Sequence, residues 1–205
     1  MIKNLIFDMG GVVFDLGYEQ AVSRFEEIGV ADARKYLDPA IQTGLFGRLE
    51  GGLISCEEFR SRLSDIIGKE LSHAQCEYAW KGYILALPER NLNKLDELKS
   101  RGYRMVLLSN TNPYITAWAH SAEFFRGRTM DSYFDHLYFS CDLKLMKPGE
   151  EIFRRVLEAE GFTPDETLFI DDSTRNCATA QALGIHTLCP QGNSDWTGPI
   201  EEFLK

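Results

Sequence analysis

Residues 5–12 read Leu-Ile-Phe-Asp-Met-Gly-Gly-Val, an apolar run that stops on one acid and two glycines. The apolar residues predict a buried strand, and a strand that ends on a carboxylate places a potential nucleophile at the carboxyl edge of a sheet. Gly10 and Gly11 allow the backbone to approach a ligand closely. The segment therefore places Asp8 at a candidate functional site.

Four more apolar runs follow this segment, and helical patterns separate them. The runs lack clean alternation, as is typical of strands covered on both faces, and the order predicts an α/β protein with a parallel sheet. The five predicted strands are Asn4–Phe7, Arg104–Leu108, His136–Ser140, Thr167–Ile170 and His186–Cys189. Predicted connecting helices begin at Pro88 and span Glu150–Glu160 and Thr174–Leu183, each followed by a glycine that suits a helix stop.

Residues 17–87 interrupt this alternation, because they contain amphipathic helical patterns and no convincing strand. We expect a helical cap inserted after the first strand, lying over its carboxyl end as a lid, with residues 1–16 and 88–205 forming the core. The predicted cap helices are Tyr18–Ile28, Ala31–Gln42, Cys56–Ile67 and Ser72–Leu85, and Gly44, Gly47, Gly51 and Gly52 predict a flexible middle.

Composition excludes several classes of protein. The 205 residues, 44% hydrophobic and 26% charged, suit one globular domain or a core with a modest insertion. A net charge of -9 without a basic block argues against nucleic-acid or anionic-membrane partners. We expect a cytoplasmic protein, since no apolar run could span a bilayer, the N-terminus lacks secretory features, and the five cysteines show no disulfide or zinc pattern.

Three further polar pairs follow predicted strands. Ser109-Asn110 offers a hydroxyl and backbone amides that can cradle phosphate, although these residue types also commonly cap helices. Lys147-Pro148 offers a lysine restrained by the following proline, which could neutralise an attacking carboxylate and a transferred anion; a solvated loop lysine is the ordinary alternative.

Asp171-Asp172 is the third pair, at the end of an apolar strand. Adjacent acids near a third carboxylate repel one another unless a hard cation lies among them, and Mg²⁺ prefers such an oxygen-rich site. A turn with a helix cap would explain one of these acids better than both.

Four motifs together resemble the signature motifs of the haloacid dehalogenase (HAD) superfamily, and the resemblance covers the whole chain. Within the superfamily the chain most resembles bacterial phosphatases acting on α-D-glucose 1-phosphate, through Leu-Ser-Asn-Thr-Asn at 108–112 and Glu-Ala-Glu-Gly-Phe at 158–162. It also resembles, less closely, the phosphatase domain of soluble epoxide hydrolases. The resemblance implies a three-layer Rossmann-like core with a small helical cap. The motifs are Asp8, Ser109-Asn110, Lys147-Pro148 and Asp171-Asp172.

The resemblance also implies a reaction and its residues. Asp8 would attack a phosphomonoester and form an aspartyl-phosphate that water then hydrolyses. Mg²⁺ would be held by Asp8, the Gly10 carbonyl and Asp172, with Asp171 behind them or bridged by water. The groups expected on the phosphoryl oxygens are Ser109, the Asn110 amide and Lys147. A small phosphorylated metabolite is the expected partner, with the protein acting as a monomer or weak homodimer.

Gly10 departs from the family pattern, which places an acid here to protonate the leaving group and activate water. General acid–base help is worth about 10²–10⁴-fold, so another group must substitute or the leaving group must need less help. A sugar 1-phosphate meets the second condition, because its anomeric oxygen is the better leaving group. Asp15 is the first candidate substitute and Glu50 the second, although both could be ordinary hinge or surface acids.

Substrate choice is expected to depend on the cap and on the segment after Asn112. Arg48, Glu50 and Trp118 could face a sugar, since planar aromatics and bidentate polar groups suit ligands rich in hydroxyls. Core packing would account for Trp118 equally well. Two other functions stay open: a metal-independent 2-haloacid dehalogenase, against which Asp171-Asp172 argues, and a noncatalytic sensor of a phosphorylated metabolite.

Overall fold

The computed structural model describes residues 1–37 and 44–204 of the chain. Its strands are β1 (Asn4–Phe7), β2 (Asp15–Leu16), β3 (Ile84–Ala86), β4 (Arg104–Ser109), β5 (His136–Phe139), β6 (Thr167–Ile170) and β7 (His186–Leu188). Five of them form a parallel sheet in the order β5-β4-β1-β6-β7, and β2 and β3 form a separate antiparallel pair. The predicted parallel α/β sheet is confirmed.

The helices lie on both faces of this sheet and in the segment between β2 and β3. No helix in the two described ranges is long and apolar enough to cross a membrane. The helices are α1 (Tyr18–Glu27), α2 (Gly44–Glu50), α3 (Cys56–Ile67), α4 (His73–Trp80), α5 (Glu89–Ser100), α6 (Pro113–Ala119), α7 (Ser140–Leu143), α8 (Glu150–Glu160) and α9 (Thr174–Ala182).

Alternate residues of the central strands point to opposite faces of the sheet and belong to two apolar cores. On one face, Ile6 and Phe169 pack with Phe153 of α8 and Ala180 of α9. On the other face, Leu5, Phe7 and Ile170 belong to the cluster that contains Leu92 and Leu95 of α5. Burial of each large apolar side chain contributes roughly 1.5–3 kcal/mol, so this three-layer arrangement fixes the carboxyl edge of the sheet firmly.

Two predicted strand ends are one residue too long. Ser140 begins α7 instead of ending β5, and its buried Oγ accepts a hydrogen bond from the Thr111 amide at 2.9 Å. Cys189 is exposed and follows β7. Strand propensity alone does not mark these ends, since side-chain contacts elsewhere in the fold decide them.

The segment between the two short strands is helical, as predicted, but its details differ. Ile84–Ala86 is a strand and not the end of a helix, because it pairs with Asp15–Leu16 from a distant part of the chain. The predicted helix Ala31–Gln42 is a 3-10 turn at Ala33–Lys35 in its described part, and residues 38–42 lie outside the described residues.

The middle of this segment is also more ordered than its glycines suggest. Gly44–Glu50 forms α2, and Gly47 within it is buried. Ser55 caps α3 by accepting a hydrogen bond from the Glu58 amide. Tertiary packing therefore outweighs the weak helix propensity of glycine here.

Candidate active site

Asp8 lies at the carboxyl edge of the sheet, directly after β1, and its amide donates a hydrogen bond to the Ile170 carbonyl of β6 at 2.8 Å. The Nζ of Lys147 donates to Asp8 Oδ1 and to Asp171 Oδ2, both at 2.7 Å, and lies 2.8 Å from the Leu108 carbonyl oxygen. The Lys147 side chain is only 2% exposed. The structure therefore brings the first, third and fourth motifs together around one buried ammonium.

Asn110 holds the loop that carries this lysine. Its side-chain Nδ2 donates to the Lys147 carbonyl at 2.7 Å, and its Oδ1 accepts from the Lys147 amide at 2.9 Å. The peptide bond between Lys147 and Pro148 is cis. Ser109, which ends β4, is buried and lines the same cavity as Asp8. The Asn110 side chain thus positions Lys147, a role that the sequence did not suggest.

The two adjacent acids after β6 have different surroundings. Asp171 is fully buried, and its Oδ1 accepts from the Ser173 amide at 2.8 Å while the Asn176 amide group contacts both of its oxygens. Asp172 lies against two glycines: a Cβ on Gly11 or Gly192 would be 2.4 or 2.5 Å from Asp172 Oδ2. Both glycines therefore make room for this carboxylate, and Gly11 also has a positive φ of 79°.

The three carboxylates form a site that fits a divalent cation. One oxygen of each of Asp8, Asp171 and Asp172 lies within 4.8 Å of the others. Burial raises the pKa of Asp8 to about 7, and the charges of Asp171 and Asp172 add to the rise while Lys147 opposes it. Burial together with the Asp171 charge raises the pKa of Asp172 to about 6. Three ionised carboxylates against one ammonium leave two negative charges unbalanced, which is the deficit that Mg²⁺ would fill.

Lys147 itself stays charged in this setting. Burial lowers its pKa, but the facing carboxylates of Asp171 and Asp8 raise it, and the net direction is upward. A buried lysine whose charge is retained can balance negative charge that develops on a bound anion. The ion pair is therefore an electrostatic element of the site as well as a packing element.

A cavity of about 590 Å³ opens over this edge of the sheet. Asp8, Ser109, Lys147 and Asp172 line it from the sheet side. Residues between the first strand and α5 line it as well, among them Tyr18, Tyr36, Phe46, Glu50 and Tyr83. Side chains of the inserted segment therefore share one cavity with the residues at the carboxyl edge, and the division into a core and a cap at residues 17–87 stays a prediction.

Leu16 occupies the space beside Gly10. A Cβ on Gly10 would lie 2.7 Å from Leu16 Cδ1, and Leu16 lines the cavity. An acidic side chain at position 10 would have to displace this leucine. The chain therefore replaces the acid of the family pattern with an apolar contact.

Three other predicted site residues are not among the described residues that line the cavity. Asp15 lies in β2, where it pairs with Ala86. Arg48 is on the exposed face of α2. Trp118 is only 6% exposed, and its ring centroid lies 5.6 Å from that of Phe14, so it packs in the core. Helix and strand periodicity turns these side chains away from the cavity, whereas Glu50 lines it.

Two supporting residues were missed from the sequence. Asn91 Nδ2 and Trp196 Nε1 donate to the Val12 carbonyl at 2.8 and 2.7 Å, and they hold the loop that follows Asp8. Asn91 lies on the same buried face of α5 as Leu95. A polar residue within an apolar helix face indicates a buried hydrogen bond, so the sequence did contain a signal for Asn91. Nothing in the local sequence around Trp196 indicates this contact.

Comparison with known proteins places the chain in a family. The family model of haloacid dehalogenase-like hydrolases matches residues 2–184. A D-ribitol-5-phosphate phosphatase of Bacteroides thetaiotaomicron is 41% identical over 205 residues, covering 100% of this chain and 99% of the relative.

Two solved structures are also similar. A predicted HAD-like family hydrolase from Porphyromonas gingivalis has a TM-score of 0.95 at 45% identity, covering 100% of this chain and 98% of its own. A HAD family enzyme from Bacteroides thetaiotaomicron, in complex with magnesium and inorganic phosphate, has a TM-score of 0.88 at 36% identity, covering 97% of this chain and 99% of its own. With its four motifs gathered at one sheet edge, the chain belongs to the haloacid dehalogenase-like hydrolases.

Proposed function

We propose that this protein is a Mg²⁺-dependent phosphomonoester hydrolase that acts on small sugar or polyol phosphates through an aspartyl-phosphate on Asp8. One observation carries the proposal: Lys147 bridges Asp8 and Asp171 beside Asp172, within a cavity of about 590 Å³. Such a cluster combines a nucleophile, a fixed positive charge and oxygen ligands for a metal. The relatives described above, one of them a phosphatase, support the same reaction.

Asp8, the Gly10 carbonyl and Asp172 would hold the metal, with Asp171 behind them. Bound Mg²⁺ supplies positive charge that balances the carboxylates and polarises a phosphoryl oxygen. Lys147 fixes one oxygen of Asp8, so that the carboxylate presents its other oxygen to the phosphorus. Because the phosphoryl transition state is loose, positioning and charge balance provide most of the catalysis.

The alternative of a 2-haloacid dehalogenase fits this site less well. Attack on a carbon–halogen bond needs a carboxylate but no metal, so it does not call for three convergent carboxylates as metal ligands. Here three carboxylates converge, and two glycines make room for Asp172. The geometry therefore favours phosphoryl transfer.

Two observations bear on the substrate. Gly10 supplies no proton to a leaving alkoxide, which favours a sugar 1-phosphate because its anomeric oxygen leaves more easily. The 41% identical relative is named for D-ribitol 5-phosphate, whose leaving group is a primary alkoxide. Both substrates are small phosphate monoesters with hydroxyl-rich tails, and the substrate class that we propose includes both.

The first experiment measures phosphate release with and without Mg²⁺ from α-D-glucose 1-phosphate, D-ribitol 5-phosphate and p-nitrophenyl phosphate. We expect release only with Mg²⁺, and faster release from a sugar or polyol phosphate than from the aryl ester. Chloride release from 2-chloropropionate without metal would instead establish a dehalogenase. Inactivity in both assays would contradict an enzymatic role and favour a sensor of phosphorylated metabolites.

A second prediction concerns metal binding without turnover. Mg²⁺ at about 100 times its dissociation constant should stabilise the fold by about 2.7 kcal/mol, seen as a higher melting temperature in differential scanning fluorimetry. Asp172→Asn should abolish this shift, and Asp65→Asn, an exposed acid on α3, should retain it. The shift should shrink as the pH falls below about 7 and further below about 6, because protonated Asp8 and Asp172 do not bind the ion. A shift that survives Asp172→Asn would contradict the proposed ligand set.

A further inference from the structure

We infer that the Glu50 carboxyl group binds the hydroxyl groups of an uncharged, polyhydroxylated substrate tail. The tail would lie against the cap wall, which we define as the cavity lining contributed by residues 17–87. The inference rests on the proposed phosphatase function and specifies which part of the substrate the cap recognises. It assigns Glu50 to specificity and not to proton transfer at the leaving oxygen.

The backbone of Glu50 is fixed relative to the phosphate end of the site. Its carbonyl accepts a hydrogen bond from Ser140 Oγ at 2.6 Å, and the same Oγ accepts from the Thr111 amide at 2.9 Å. Thr111 lines the cavity and follows Asn110 directly. A single buried side chain therefore connects the end of α2 to the loop of the second motif.

A glycine completes this attachment. Gly52 has a φ of 64°, and a Cβ there would lie 1.9 Å from the Cys141 carbonyl oxygen. The turn after α2 therefore packs directly against α7, at a distance that only glycine permits. Since the turn is held in this way, the Glu50 side chain is presented to the cavity from a defined position.

The Glu50 carboxyl group lies among cap side chains and has no hydrogen bond or ion pair to another residue in the described ranges. Burial alone raises its pKa to about 7, whereas the pKa values of Asp8 and Asp172 also respond to Lys147. The phenol of Tyr83 does respond to Glu50: burial and then the Glu50 charge raise the pKa of Tyr83. The carboxyl group is therefore near Tyr83 and outside the charge network around Lys147.

These surroundings select the chemistry of the ligand. A partly buried carboxyl group without a partner carries a desolvation cost, which hydroxyl donors of a ligand would offset. Aromatic rings of Tyr18, Tyr36 and Tyr83 line the same cavity and offer flat surfaces for the carbon skeleton of a polyol or sugar.

A second anionic group on the substrate would be disfavoured here. It would meet the like charge of Glu50, and the one arginine among the described cap residues at the cavity, Arg34, already bonds both oxygens of Glu19 at 2.9 and 2.5 Å. The cap wall therefore suits a monophosphate with a neutral tail.

The test compares substrates with the same kind of leaving group. D-ribitol 5-phosphate and n-pentyl phosphate both release a primary alkoxide, and they differ in their hydroxyl groups. We expect Glu50→Leu to lower kcat/KM for D-ribitol 5-phosphate by about 10- to 100-fold and to change it less than about twofold for n-pentyl phosphate and p-nitrophenyl phosphate. Glu50→Gln, which keeps the shape and part of the hydrogen bonding, should show a smaller loss on the polyol phosphate alone.

The controls separate this inference from the proposed function. Glu57→Gln, an exposed glutamate on α3, should behave as wild type with all three substrates. Equal losses on D-ribitol 5-phosphate and n-pentyl phosphate, with p-nitrophenyl phosphate spared, would overturn the inference and make Glu50 the proton donor. Equal losses on all three substrates would overturn it as well. A wild-type enzyme that hydrolyses none of them would contradict the phosphatase proposal itself.

Discussion

Replacing Asp8 with Asn is expected to reduce kcat/KM for phosphomonoesters by more than about 10³-fold, because the amide is a poor nucleophile and no other carboxylate oxygen takes its position. Asp8 is fixed by its amide contact to β6 and by Lys147, so the substitution should leave the fold unchanged. Phosphate release at saturating Mg²⁺ measures the effect. Mass spectrometry of acid-quenched wild-type enzyme should show the mass of one added phosphoryl group, located on the peptide that contains Asp8.

Asp65→Asn is the matched control for this substitution, since Asp65 is an exposed aspartate on α3. It should have wild-type activity and should carry the same phosphoryl adduct. An Asp8→Asn variant with more than a tenth of wild-type activity would show that water attacks the substrate directly. The aspartyl-phosphate would then be excluded from the reaction.

Replacing Lys147 with Met should affect both activity and stability. The ammonium is 2% exposed and balances two carboxylates, so its removal leaves buried negative charge without a partner. Breaking a buried ion pair in this way costs about 3–5 kcal/mol, which urea denaturation would measure. Activity should fall by more than about 10²-fold, because in the proposed reaction the same charge stabilises the transferred phosphoryl group.

The pH dependence of this loss has a defined sign. Without Lys147, the buried charge that lacks a partner lies on the carboxylates, and protonating Asp8 removes part of it. Because the pKa of Asp8 is already raised to about 7, Lys147→Met should cost less stability at pH 5 than at pH 8. Lys144→Met, at an exposed position in the same loop, should change neither stability nor activity. A Lys147→Met variant as stable as wild type at pH 8 would show that the carboxylates are neutral in the native state without metal.

The parts of the fold that the sequence predicts well depend on local and continuous patterns. β1 and β6 have the predicted ends because every residue in them is buried and apolar residues fill both faces. The convergence of Asp8, Lys147 and Asp171 follows from one rule, that the carboxyl ends of parallel strands share an edge. Patterns of this kind need no knowledge of distant contacts.

The parts that were mispredicted depend on distant contacts. Ile84–Ala86 is a strand because of residues almost at the other end of the inserted segment, and three residues are too few to show a period. Trp118 had two interpretations, a residue facing a sugar or a core residue, and the sequence could not choose between them; on α6 it is 6% exposed and packs against Phe14. The division into a core and a cap at residues 17–87 stays a prediction, as does the cytoplasmic location.

Acid–base help at the leaving group is the least predictable part of the site. The sequence identifies what Gly10 lacks but not what fills its space, which is the side chain of Leu16. Asp15 looked suitable from its separation in sequence, yet strand alternation places Leu16 and not Asp15 at the cavity. A shift of one residue along β2 would therefore place the Asp15 carboxyl group, and not the apolar Leu16 side chain, at the cavity.

The antiparallel pair of β2 and β3 has a consequence for how such enzymes diversify. The chain leaves the sheet region through Asp15–Leu16 and returns through Ile84–Ala86, with Leu16 directly beside Ile84. Paired residues of this kind have Cα atoms only about 4.5–5.5 Å apart, so the inserted segment begins and ends at almost the same place. A different folded segment whose ends adjoin could replace residues 17–83 between these two strands without moving the five-stranded sheet or Asp8, so the lining of the cavity can change while the sheet edge stays the same.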